Sequence, residues 1–136
     1  MRVLLDTNVI LDFFLARGDS TAPRRIFELV YQEEITAYTT ASSITDIYYI
    51  VAKRLGDSAA RSMLKSLFYL VEIIAVDGND CFSALNLPIS DYEDAVISIC
   101  AAKDNLDFII TNDTEFIKTG SPSTSVISPA NFVSMH

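Results

Sequence analysis

At 136 residues, half of them apolar, the chain is long enough to bury a core of its own and is expected to form a single domain over 1–136. The only histidine is His136, the last residue, which excludes His-based triads, zinc hydrolase sites and two-histidine ribonuclease mechanisms and leaves hydrolysis to carboxylates and a hard metal ion. The net charge of −8 excludes a uniformly basic nucleic-acid surface, yet it is unevenly placed: residues 1–68 hold eight basic and eight acidic residues, residues 69–136 two and ten.

Arg2-Val3-Leu4-Leu5 reads as a buried strand, and it ends on Asp6-Thr7-Asn8. Val9-Ile10-Leu11 with Phe13-Phe14-Leu15 starts a helix at that strand end, with Asp12 on it and Gly18 stopping it. Ser20-Thr21-Ala22-Pro23 opens the next helix, which runs to about Glu33. Glu34 to Thr39 is β-branched and strand-like. Ala41 to Val51 is a helix capped by Ser42 or Ser43 and ended at Gly56, and Asp57-Ser58 begins another through Leu70. Val71 to Val76 forms a third strand, followed by a helix from Asp77 through Phe82 and Leu85, closed near Pro88. Ser90 or Asp91 starts a helix over Tyr92 to Ala102. Phe108-Ile109-Ile110-Thr111 is a fourth strand, Ser125-Val126-Ile127 a short fifth, and Pro129 to Phe132 a final helical turn. Residues 119–125 read as a flexible loop.

Strands alternating with helices predict an α/β fold, a three-layer α/β/α sandwich with a mostly parallel sheet of four to five strands. No apolar run is long enough to span a bilayer, and the chain opens without a signal-peptide pattern, so a cytoplasmic location is expected. Cys81 and Cys100 lack metal-ligand spacing and are expected to be reduced and buried. With four glycines and neither GxGxxG nor a Walker A motif, dinucleotide and P-loop chemistry are excluded.

Four segments place acids where the C-terminal edge of such a sheet gathers ligands. Asp6 follows the first strand and Asp113 the fourth; the two converge if those strands are neighbours. Asp94 lies in the first turn of the helix before the fourth strand, and Asp46 one turn into the helix after the second. Each has a structural alternative: Asp91 with Asp94 resembles a cap, Asp113 can open a turn, and Asp46 sits among Ile47, Tyr48 and Ile50. Gathered together, the acids repel one another and raise their pKa values, a conflict that Mg²⁺ or Mn²⁺ resolves. Such a metal centre hydrolyses a phosphodiester without histidine. The basic pairs Arg24/Arg25 and Lys53/Arg54 are either solvated helix faces or a basic rim that docks RNA.

The segments Leu5-Asp6-Thr7-Asn8-Val9, Ser43-Ile44-Thr45-Asp46-Ile47, Asp91-Tyr92-Glu93-Asp94-Ala95-Val96 and Ile110-Thr111-Asn112-Asp113-Thr114-Glu115-Phe116 resemble, in order and spacing, those of the PIN domain ribonucleases. The size is similar to that of VapC-type toxins of toxin–antitoxin pairs. The resemblance implies a Mg²⁺- or Mn²⁺-dependent endoribonuclease with Asp6, Asp46, Asp94 and Asp113 as its acidic centre, and metal contact from Asp6, Asp94 and Asp113. Asn8 and Thr111 would be polar supports, with Asp91 and Glu115 as secondary candidates. It further implies a homodimer, an RNA substrate and silencing by a small antitoxin protein. Two departures stand out. The family more often carries Glu at the Asp46 position, so the shorter side chain suits a water-bridged contact. Asn112 replaces a commoner arginine, removing a base near the site. Two competing readings are a catalytically silent interaction module of the same fold and a haloacid-dehalogenase-type phosphatase. The latter wants Asp-x-Asp, where this chain has Asn8, and a late lysine, for which only Lys103 and Lys118 are present.

Overall fold

The computed structural model describes residues 1–136. Its elements run β1 (Arg2–Leu5), α1 (Thr7–Phe14), α2 (Thr21–Tyr31), β2 (Thr36–Thr40), α3 (Ala41–Leu55), α4 (Asp57–Phe68), β3 (Val71–Ile74), α5 (Gly78–Ala84), α6 (Tyr92–Lys103), β4 (Phe108–Ile110), α7 (Thr114–Thr119), β5 (Ser125–Ile127) and α8 (Pro129–Ser134). All strand pairs are parallel, in the order β3-β2-β1-β4-β5. The chain winds from β1 outward through β2 to β3, then returns to the other side of β1 for β4 and β5. The switch point therefore lies between β1 and β4, where open α/β sheets form their ligand crevice. Leu5 pairs with Ile110, so both strands end level, and the Asp6 N–H donates to the Ile110 carbonyl at 3.0 Å.

Period-two alternation along the strands divides the core. Val3, Leu5 and Ile110 face one helical layer, packing with Ile10, Ile26, Ile47, Leu67 and Phe132 of α1, α2, α3, α4 and α8. Leu4 and Ile109 face the other, packing with Ala84, Ile97, Cys100 and Phe116 of α5, α6 and α7. The expected three-layer α/β/α architecture is present. Its central helix is α6, buried at Asp94, Ala95, Val96, Ile97, Ser98, Cys100 and Ala101. A helix buried on nearly all sides has no polar face, so its direction and position are fixed by the sheet beneath and α5 above.

The structure corrects several local expectations. The α3 cap is Thr40, whose hydroxyl accepts the Ser43 N–H at 3.3 Å, rather than Ser42 or Ser43. Ser20 makes no side-chain cap on α2; Asp19 accepts the Thr21 N–H instead, at 3.1 Å. Residues 114–119 form a helix, α7, that apolar periodicity did not reveal. It has a single buried side chain, Phe116, and stops at Gly120, where φ of 75° suits a residue without Cβ. The loop before β5 is correspondingly shorter than 119–125, and Thr124 within it is buried. Cys81 is exposed, not buried, because the seven-residue α5 buries only Asp80 and Ala84; Cys100 is buried as expected, and both thiols are free.

Candidate metal centre

The three helices that begin around the switch point, α1, α6 and α7, are each capped by an aspartate. Asp6 Oδ1 accepts the Thr7 N–H at 2.8 Å and opens α1. Asp91 Oδ1 accepts the Asp94 N–H at 3.1 Å and opens α6. Asp113 Oδ1 accepts the N–H groups of Glu115 and Phe116 at 3.0 and 3.3 Å and opens α7. Capping and metal binding are therefore not alternatives here. The caps at Asp91 and Asp113 use one oxygen each and leave the second free, and the positive helix ends favour negative charge where the acids gather.

Thr111 ties these ends together. Its hydroxyl donates to Asp6 Oδ2 at 2.7 Å and accepts the Asp113 N–H at 3.0 Å. Asn8 reaches the same point: Nδ2 donates to Asp6 Oδ2 and to Thr111 Oγ1, both at 3.3 Å, and Oδ1 accepts the Asn112 N–H at 3.0 Å. Both side chains thus hold Asp6 and join the end of β1 to the end of β4.

A cleft of ≈ 260 Å³ opens on this edge, lined by Asp6, Thr7, Asn8, Leu11, Arg17, Ile50, Asp91, Glu93, Asp94 and Asp113. An adjoining hollow of ≈ 270 Å³ shares Asp91, Asp94 and Asp113 and is closed by Glu115, which places that secondary candidate one step outward. The electrostatics are those of like charges held together. Burial pushes the Asp94 carboxyl up to about 7, reinforced by Asp91, Asp6, Asp113 and Glu93. Asp6 is raised by burial and by Asp113, against the hydrogen bonds from Thr111, Thr7 and Asn8, which favour its charged form. Glu93 was not among the sequence candidates, although it lies beside Asp94. It is exposed as a residue, but partial burial of its carboxyl, then Asp46, Asp6 and Asp91, push it up to about 7.

The remaining sequence candidates fall elsewhere. Asp46 is half-buried and is not on the cleft wall; it meets the cluster through Glu93, which occupies that side. Lys53 and Arg54 are exposed in the last turn of α3. Arg24 and Arg25 line a different hollow, with Asp19, Glu28 and His136. Asn112 replaces a base in sequence, but the cleft still has one. Arg17 comes from the turn after α1, a position with no motif to mark it.

The donor set fits a hard divalent cation. Every polar group on the wall except Arg17 offers oxygen or an amide, the Asp94 carboxylate accepts no hydrogen bond from the protein, and the buried Thr7 hydroxyl has no partner. No three acidic side chains stand close enough to make a ready-made cage. Mg²⁺ and Mn²⁺ keep several waters and take only one or two carboxylates directly, so neither would need such a cage.

Residues 2–115 match the family model described as "PIN domain". Among solved structures, VapBC2 from Rickettsia felis, bound to a DNA fragment from its promoter, superposes with a TM-score of 0.71 at 19% identity, covering 94% of this chain and 98% of that one. VapC20 from Mycobacterium tuberculosis, a Sarcin-Ricin loop cleaving toxin, gives 0.70 at 15% identity, covering 90% and 98%. FitAcB from Neisseria gonorrhoeae gives 0.68 at 20%, covering 94% and 98%. A comparison with curated proteins found no match.

Proposed function

The chain belongs to the PIN domain family, and from that premise we propose that it is a Mg²⁺- or Mn²⁺-dependent endoribonuclease, the toxin of a toxin–antitoxin pair. The observation that carries this reading is the convergence of Asp6, Asp91, Glu93, Asp94 and Asp113 on one cleft at the switch point, where burial and neighbouring acids push the Asp94 and Glu93 carboxyls up to about 7. Asp6, Asp94 and Asp113 would hold the ion, one or two of them directly and the rest through its waters. When bound, it would supply positive charge to the phosphodiester and acidify an attacking water. Thr111 and Asn8 fix the Asp6 carboxylate, so that its place is set by the register of β1 and β4. Glu93, on the cleft wall with Asp46 behind it, offers a carboxylate oxygen that would accept the proton released by the attacking water.

Partners follow from the same reading. Similar folds occur in toxin–antitoxin complexes, such as the one from Klebsiella pneumoniae, which supports an antitoxin partner for this chain; that the antitoxin is small and that the chain pairs with a second copy are parts of the same proposal. No helix is long and apolar enough to cross a membrane. Asp6→Asn or Asp94→Asn should abolish Mg²⁺-dependent cleavage of a mixed RNA substrate while circular dichroism shows the fold retained. Full activity in either variant overturns the metal centre. The absence of a ready-made cage and the short side chain at Asp46 favour one second reading, a silent interaction module. Calorimetric titration separates the two: Mn²⁺ binding with RNA cleavage supports the nuclease, and neither supports the silent module.

A further inference from the structure

Five acids and one base line the cleft, and the base is Arg17. Its setting is built. Ala16 and Gly18 on either side have φ of 48° and 59°, so two left-handed residues flanking Arg17 fold the chain back toward α1. Ala pays a steric cost in that region, and strained backbone persists where the surroundings impose it. Arg17 Nε donates to Asp12 Oδ1 at 2.7 Å, and Asp12 Oδ2 accepts from Asn112 Nδ2 at 2.6 Å. Asn112 lies between Thr111 and Asp113, and its N–H is held by Asn8. A continuous bracket therefore runs from the end of β4 through Asp12 to Arg17. The bracket uses Nε alone and leaves both terminal amino groups without a partner in the protein. The side chain is 39% exposed, so those groups remain open to a ligand.

Resting on the nuclease reading above, we propose that Arg17 grips a phosphate of the RNA strand next to the metal centre, with Asp12 and Asn112 as positioning residues. A fork with one edge anchored and the other free matches the two oxygens of a phosphodiester, and anchoring reduces the entropy lost on binding. An anion entering a cleft of five carboxylates needs one fixed cation besides the metal. The same bracket gives Asn112 a purpose: it holds Asp12 Oδ2 while Arg17 holds Oδ1.

The test is binding of an uncleavable 2′-O-methyl RNA oligomer in Mn²⁺, measured across a salt series, with Mn²⁺ affinity measured separately. Arg17→Gln should weaken the oligomer about ten-fold or more, the loss typical of a charge-assisted hydrogen bond. It should also flatten the log K against log salt slope by roughly 0.7, the increment for one single-strand phosphate. Mn²⁺ affinity should not fall. Arg17→Lys keeps the charge and should keep the slope while losing affinity, and it carries the test if the Gln variant fails to fold. Asn112→Ala should raise KM with kcat unchanged. Oligomer affinity and slope equal to wild type in Arg17→Gln, or wild-type affinity in Arg17→Lys, overturn the assignment of Arg17. A wild-type protein that binds the oligomer but leaves the corresponding RNA uncut overturns the nuclease reading and keeps the phosphate contact. Absence of oligomer binding to wild type overturns both.

Discussion

At the residue scale, the features that suit Asp94 and Glu93 to a cation make them costly without one. Both carboxyls are pushed up to about 7, against ordinary values of 3.8 and 4.5, because burial and neighbouring acids disfavour their charge. A carboxyl whose folded pKa lies above its unfolded value contributes stability that is fully present below the unfolded value and is lost as pH rises through the folded one. The metal-free protein should therefore lose stability from this pair between about pH 4 and pH 8. Other acids, held low by their partners, titrate with the opposite sign, so the informative quantity is a difference between variants. In chelator-treated protein, Asp94→Asn should melt above wild type at about pH 8 and converge with it only as pH falls to about 4. Excess Mn²⁺ should reverse the order at the higher pH, since an ion at a hundred times its Kd stabilises by about 2.7 kcal/mol. An Asn variant that melts below metal-free wild type there would mean that the Asp94 charge is already compensated within the protein.

At the element scale, α6 must be held in place because it carries Asp91, Glu93 and Asp94, and α5 helps hold it. Asp77 and Asp80 form a reciprocal capping box at the start of α5. Asp80 Oδ2 also accepts Lys103 Nζ, from the end of α6, at 2.7 Å. Burial pushes Asp80 up, but the bonds from Lys103 and the Asp77 N–H outweigh it, and its pKa lies below the ordinary value. This contribution is present above the unfolded pKa and lost as pH falls through the folded one. Lys103→Met leaves a buried carboxylate with only the Asp77 N–H. Because the lysine is 37% exposed and screened, the expected cost is about 1 kcal/mol rather than that of a fully buried pair. Chemical denaturation at neutral pH measures it, and an unchanged midpoint would show that the pair does not link α5 to α6. Elements like these were readable to different degrees. The strands and the long helices α2, α3, α4 and α6 announce themselves through apolar runs, although of their caps only Asp91 of α6 stands where the sequence put it. Helix α7 does not, because one buried side chain, Phe116, creates no periodicity. Asp6, Asp94 and Asp113 were legible because each ends a strand or opens a helix. Glu93 and Arg17 were not: one stands out only where Asp46 of α3 meets it at the edge of the sheet, and the other depends on a left-handed turn. Asp46 shows the converse, a residue in the right motif that the fold keeps off the cleft wall.

At the scale of the whole molecule, the division of charge along the chain becomes a division in space. The acidic half supplies α6 and α7 and most of the carboxylate wall, while β1 contributes Asp6 from the neutral half. The basic residues of the neutral half are not equivalent. On α3, Asp46, Ile50 and then Lys53 with Arg54 follow at spacings of four and three to four, which place them along one helical face. Ile50 lines the cleft, so this face leads outward from it, with the two bases roughly 10–12 Å beyond Asp46 at the helical rise. Neither base takes part in an ion pair. Arg25, by contrast, pairs with Glu28 in the separate hollow by α8. An RNA strand crossing the metal centre would therefore meet Lys53 and Arg54 before Arg24 and Arg25. Lys53→Gln with Arg54→Gln should weaken RNA binding and flatten its salt dependence by roughly 0.7 for each phosphate no longer neutralised, more than the double Gln change at Arg24 and Arg25. Equal slopes in the two double variants would show a diffuse basic rim, and a larger effect at α2 would move the RNA path to the opposite side of α1.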